Sequence, residues 1–235
     1  MVNGESEMVN RASQAAPMAG RADHSPFPIS HSPVDSPVVK QLGLVDYLPT
    51  YEAMRRFTAE RTTASADEIW TLQHRPVYTN GLAGRAEHFP RSGAIAVEAT
   101  DRGGQITYHG PGQAIVYLLL DLARREIKVR QLVQLAEQAV IDLLADHQIA
   151  AARVTGAPGV YVGGAKVAAL GLRVRKGCCY HGIALNVDMD LTPFDAIDPC
   201  GFPGLRVTQT RDLGISANTD VLGERLAAKV VELLR

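Results

Sequence analysis

No apolar run in this chain reaches the roughly 18 residues needed to cross a membrane, so a membrane role is not expected. Cysteine is scarce: Cys178, Cys179 and Cys200 are the only three in 235 residues, and the first two are neighbours. Three thiols make no disulfide framework, and a reducing, cytoplasmic setting is the natural expectation. Excess charge is also missing. With 24 Lys+Arg against 25 Asp+Glu, the net charge is −1, and no nucleic-acid partner is expected without a basic footprint. The N-terminus lacks a basic patch followed by an apolar stretch, and Glu5, Glu7 and Asp23 are out of place in an acid-poor transit peptide. No internal repeat is visible.

What is present fits an ordinary globular protein with one sizeable core: 46% apolar and 21% charged residues. Residues 1–38 read as a disordered extension, rich in Ser, Pro, Ala and Gly and without helix or strand periodicity. Its histidines, His24 and His31, are expected to be solvated and silent. Residues 39–235 read as a single domain. Short strands are expected near 42–47, 68–74, 77–80 and 95–100, with a helix over Tyr51–Thr63. Leu132, Leu135, Ala136, Ala139, Val140, Leu143 and Leu144 give a helical stripe within 127–149. Residues 154–189 read as several strands joined by glycine turns, and 219–235 as a terminal helix capped by Thr219 or Asp220. Strands outnumber helices and come in runs without βαβ alternation. The expected class is therefore α+β, a mixed sheet with packed helices.

The densest glycine pattern lies in RGGQITYHGPGQAIVYLLLD (102–121). Such a loop before an apolar strand is either the wall of a narrow binding slot or a pair of tight turns. Cys200 sits in the turn-like Asp198-Pro199-Cys200-Gly201 and is either a reachable thiol, which needs an activator at neutral pH, or a small buried hydrophobe. Lys166 interrupts the apolar stretch VGGAKVAALGL and is either an edge lysine facing water or a partly buried base. His109 and His181 are candidate acid/base groups or satisfied loop histidines. Arg102 either holds an anion or braces its loop. Cys178 and Cys179 beside His181 lack the spacing and second cluster of a metal site, and no metal is expected. Two basic clusters, Arg124, Arg125, Lys128, Arg130 and Arg173, Arg175, Lys176, are either a docking surface or solvated charge.

Taken together, RGGQITYHGPGQ (102–113), GAPGVYV (156–162), KVAALGLRVRKGCCYHGIALNVDMDL (166–191) and DPCG (198–201) resemble the lipoyl(octanoyl) transferase family over roughly residues 40–215. The resemblance implies a fold like that of biotin and lipoate protein ligases, related to the class II tRNA synthetase core. It implies a Cys/Lys dyad at Cys200 and Lys166. It places substrate contacts on Arg102, Gly103, Gly104, Gln105, Ile106, Thr107, Tyr108 and His109, on Ala169, Leu170 and Gly171, and on Gly182, Ile183 and Ala184. Position 169, often serine in the family, is alanine here.

The implied reaction moves an octanoyl group from the phosphopantetheine arm of acyl carrier protein to a lysine of a lipoyl domain, through a thioester on Cys200. The implied acceptors are the lipoyl domains of 2-oxoacid dehydrogenase E2 subunits and the glycine cleavage H protein. No cofactor beyond the carrier's own arm is implied. Backbone N–H groups near Gly171 and Leu172 are the expected oxyanion donors. An ATP-dependent lipoate–protein ligase is the nearest alternative. A silent acyl-binding module and a thiol hydrolase using Cys200 with His109 or His181 are others.

Overall fold

Ten strands and three helices make up the computed structural model, which describes residues 35–90, 93, 95–198 and 204–235. The expectations for residues 1–34, including His24 and His31, fall outside the described residues. So does that for Cys200.

The main sheet has seven strands in the order β1-β2-β6-β10-β9-β8-β7. These are β1 (Val38–Val45), β2 (Glu68–His74), β6 (Gln113–Leu119), β7 (Ala152–Val154), β8 (Ala157–Val162), β9 (Ala165–Arg175) and β10 (Cys178–Asn186). Only β1 and β2 pair in parallel within it. A second sheet of three short strands runs β4-β3-β5, from β3 (Val77–Asn80), β4 (Val97–Ala99) and β5 (Thr107–His109).

The helices are α1 (Tyr47–Glu60), α2 (Val129–Ala145) and α3 (Thr219–Leu233). On one face of the main sheet, α2 and α3 close a core around Leu118, Leu132, Val140, Ile183 and Leu226. On the other face α1 brings Tyr47, Tyr51 and Met54 onto Trp70, Leu72, Ile115 and Tyr117. Strand alternation explains why neighbours such as Ile115 and Val116 join different cores. The mixed α+β class read from the sequence is the observed one.

Three boundaries differ from expectation. Helix α1 starts at Tyr47, not Tyr51, because Pro49 falls in the first turn, where the missing N–H is no loss. Helix α3 is capped by Asn218, whose side chain accepts the Val221 N–H, rather than by Thr219 or Asp220. Strand β1 begins at Val38, and the Asp35 carbonyl just before it accepts from Arg125.

Candidate active site

A narrow slot of about 50 Å³ lies on the α1 face of the main sheet. Its floor is built from three adjacent strands in register. Gly171 on β9 pairs with Gly182 on β10, which pairs with Tyr117 on β6. Ala169 pairs in the same way with Ala184, and Ala184 with Ile115. Small residues on β9 and β10 leave the sheet surface bare there. The bareness is enforced: a Cβ at Gly171 would sit 2.8 Å from Arg102 Cδ, and one at Gly182 would sit 2.0 Å from the Val116 carbonyl oxygen. Leu170 and Ile183, whose side chains pack into the core on the other face, also line the slot from between these two rows.

The roof comes from the glycine loop and from Tyr47. Arg102 is the brace of this loop. Its guanidinium donates to the Thr79 carbonyl at 2.6 Å, to Gly103 O at 2.9 Å and to Gln105 O at 2.8 Å. These bonds aim three carbonyls at one buried cation, which is what holds such a glycine-rich segment in one conformation. Gly104, Gln105, Thr107 and His109 then line the slot beside Arg102.

Ile106 and Tyr108 do not. Alternation along β5 turns them to the opposite face, where they pack with Tyr78, Met189, Phe194 and Ile197. Their expected contact with substrate is corrected on that ground. Gly103 faces the neighbouring cavity and donates its N–H to the Leu172 carbonyl at 2.9 Å.

The far end of the slot is polar and aromatic. His109 Nδ1 is 2.7 Å from Gln113 Oε1, and its Nε2 is 3.2 Å from Thr79 Oγ1. Burial, with His74 nearby, pushes the His109 imidazole down to about 3. Burial likewise takes His74 down to about 4, and its Nε2 lies 2.7 Å from the Tyr117 hydroxyl. His181 is lowered too, burial outweighing the Asp101 carboxylate 3.3 Å from its Nε2. All three rings are therefore neutral near pH 7 and serve as hydrogen-bonding walls, not cations. Tyr47, His74, Ile115 and Tyr117 were not singled out from the sequence. Tyr117 is hidden inside the apolar run AIVYLLL, and no local signal marks it.

At Gly104, Gln105, Leu170 and Gly171 the slot adjoins a wider cavity of about 420 Å³. Lys166 lines this second space together with Pro158, Val129 and Leu172. The lysine is 4% exposed, and β9 lies between β8 and β10, so the edge-lysine alternative is excluded. Its Nζ donates to the Pro158 carbonyl at 3.1 Å and stands 5.3 Å from the Tyr161 ring centroid. Its backbone is tied to the segment that follows Cys200: Lys166 N–H donates to Arg206 O, and Thr208 N–H to Lys166 O.

The Leu172 carbonyl accepts from Gly103, so residue 172 turns its backbone groups away from β10 toward this cavity. By alternation Leu170 points the same way. Gly171, expected as an oxyanion donor beside Leu172, turns its N–H to β10 instead.

Cys178 and Cys179 open β10, and both are buried. Burial pushes the Cys178 thiol up and the Cys179 thiol up to about 12, so neither ionises near neutrality. Among the described residues, no group of three or more His, Cys, Asp or Glu could hold a metal. The basic clusters also divide. Arg124 and Arg125 both pair with Asp67, at 2.7 and 2.5 Å, and belong to a structural tie, whereas Lys128 and Arg130 flank the cavity residue Val129 and remain exposed.

A model of the lipoyl protein ligase A/B catalytic domain matches residues 46–230. An octanoyltransferase from Dechloromonas aromatica is 59% identical over 198 residues, covering 84% of this chain and 97% of the relative. One from Nitrosomonas europaea is 57% identical over 196 residues, covering 83% and 96%. Among solved structures, a bipartite lipoate protein ligase from Thermoplasma acidophilum superposes with a TM-score of 0.68 at 16% identity, covering 85% of this chain and 84% of that one. Biotin protein ligase from Aquifex aeolicus, in complex with biotin and ATP, gives 0.53 at 15% identity, covering 84% and 70%. At those identities the solved structures speak for the fold alone.

Proposed function

Because this chain belongs to the lipoyl protein ligase A/B catalytic domain family and is an octanoyltransferase, we propose that it works through a thioester on Cys200, with Lys166 as its proton partner. The donor in this reading is octanoyl-acyl carrier protein. The acceptors are lysines of lipoyl domains, those of 2-oxoacid dehydrogenase E2 subunits and of the glycine cleavage H protein. One observation carries the reading: the bare-floored slot shares Gly104, Gln105, Leu170 and Gly171 with the cavity lined by a buried lysine.

The chemistry runs in two balanced steps. Cys200 Sγ attacks the carbonyl carbon of the carrier thioester as Lys166 takes or balances the thiol proton. The tetrahedral oxyanion is met by the Leu172 N–H, with Leu170 beside it. The carbon–sulfur bond to the phosphopantetheine breaks, and the carrier thiol leaves with one proton. The acceptor amine then attacks the carbonyl carbon of the Cys200 thioester, the acyl carbon–sulfur bond breaks to leave the Cys200 thiolate, and the proton lost by the amine passes through Lys166 to that sulfur as the amide forms. No cofactor is required, because the thioester already holds the activation. The octanoyl tail lies in the slot, where each buried methylene contributes about 0.8 kcal/mol.

The ligase alternative has only the distant fold likeness behind it. Among the described residues no helix is long and apolar enough to cross a membrane, and the proposed setting is cytoplasmic. Octanoyl-carrier protein mixed with an apo lipoyl domain and this enzyme, in buffer without nucleotide, is expected to give octanoylated acceptor. Transfer that waits for ATP and releases pyrophosphate would overturn the reading.

A further inference from the structure

The register of the main sheet carries a further consequence for acyl-chain length, resting on the octanoyl-transfer reading above. Two rows of paired residues cross the sheet beneath the slot. One runs Gly171, Gly182, Tyr117, Trp70, and the other Ala169, Ala184, Ile115, Leu72. Both change from small to large at the same strand. Over β9 and β10 the sheet is bare; at β6 and β2 it is filled. No described residue lining the slot comes from β2. The mouth lies over β9, where Leu170 and Gly171 are shared with the lysine cavity, so the closed end is at β6.

We propose that Ile115, with the fixed Tyr117 ring beside it, is the end-stop that selects an eight-carbon chain. The distances agree. Neighbouring strands are about 4.8 Å apart, so the path from β9 across β10 to β6 is about 10 Å. A zigzag alkyl chain advances about 1.25 Å per carbon for bonds of about 1.5 Å, so octanoyl spans about 9 Å and decanoyl about 11 Å. The stop is stiff. Tyr117 is held by the 2.7 Å contact of its hydroxyl with His74 Nε2, and Ile115 is β-branched, which restricts its χ1. Ile115 is also backed by Leu72 on β2, so it has no room to withdraw.

The test compares transfer from hexanoyl-, octanoyl-, decanoyl- and dodecanoyl-acyl carrier protein, each as kcat/KM, in the full-length enzyme and its variants. Ile115→Ala opens the end and is expected to raise the decanoyl-to-octanoyl ratio about tenfold, the worth of two more buried methylenes. Ala184→Val narrows the lane one strand earlier and is expected to raise the hexanoyl-to-octanoyl ratio. Each readout is a ratio within one variant, so a smaller folded fraction cancels. If Ile115→Ala does not fold, Ile115→Val is expected to move the ratio in the same direction by less. Unchanged ratios in the Ile115 variants, while the wild-type enzyme still transfers octanoyl, would overturn the end-stop. A wild-type enzyme that transfers no acyl chain overturns the octanoyl-transfer reading instead.

Discussion

Lys166→Met is expected to slow octanoyl transfer by about 10²- to 10⁴-fold, the usual worth of a positioned general acid–base group. Methionine keeps the apolar stem that packs near Gly159 and Tyr161 and removes only the amine. The loss should fall on kcat, with KM for octanoyl-carrier protein little changed, because the slot lies on the other side of Gly171. Alkylation of Cys200 by iodoacetamide at pH 7 should slow alongside it. Wild-type turnover and wild-type alkylation in this variant would remove Lys166 from the chemistry. The prediction is sharp because the lysine is buried in an inner strand, where a polar amine is costly to keep.

The second large effect concerns the scaffold. Asp67→Ala should destabilise the protein by about 3–5 kcal/mol, since it strands buried guanidiniums without a counter-charge. The Asp67 side chain is 1% exposed and pairs with Arg61 at 2.5 Å, Arg124 at 2.7 Å and Arg125 at 2.5 Å. It also accepts the Asp121 N–H at 2.8 Å. One carboxylate thus ties the end of α1, the start of β2 and the loop leading from β6 into α2. Burial would raise its pKa, but Arg61, the Asp121 N–H and Arg125 together hold it below the ordinary carboxylate range. A chain of this size loses about 2–4 °C of melting temperature per kcal/mol, so a fall of about 10 °C is expected in thermal denaturation. A change within 2 °C would mean that the pairs merely offset their own desolvation.

Arg124 and Arg125 also show what the sequence could not disclose. Read as a string, they were half of a basic cluster. Their partner is almost 60 residues away, and only the fold brings it to them. The glycine loop was legible as a unit, since glycine density and the following apolar strand both announce a close backbone approach. Its alternation was not. Ile106 and Tyr108 lie inside a motif whose neighbours face the slot, yet β5 is a strand, and a period of two sends them to another core. The polar end of the slot was invisible for the same reason as Asp67. Tyr47 precedes a proline that reads as a helix break, and Tyr117 sits in an apolar run. Their meeting with His74 and His109 is a product of tertiary structure. Lys166 marks the limit most clearly: a lysine among alanines and valines reads equally as edge or interior until strand order is known.

The slot and the buried lysine acquire their meaning from the thiol proposed to work beside them. The most direct measurement is intact-mass analysis with peptide mapping, first after mixing the enzyme with octanoyl-acyl carrier protein and then after adding apo lipoyl domain. The account predicts one octanoyl group on the peptide containing Cys200, discharged to the acceptor in the second step. An octanoyl group mapped to Cys178 or Cys179, or a transferred octanoyl group that was never held by any cysteine, would contradict it.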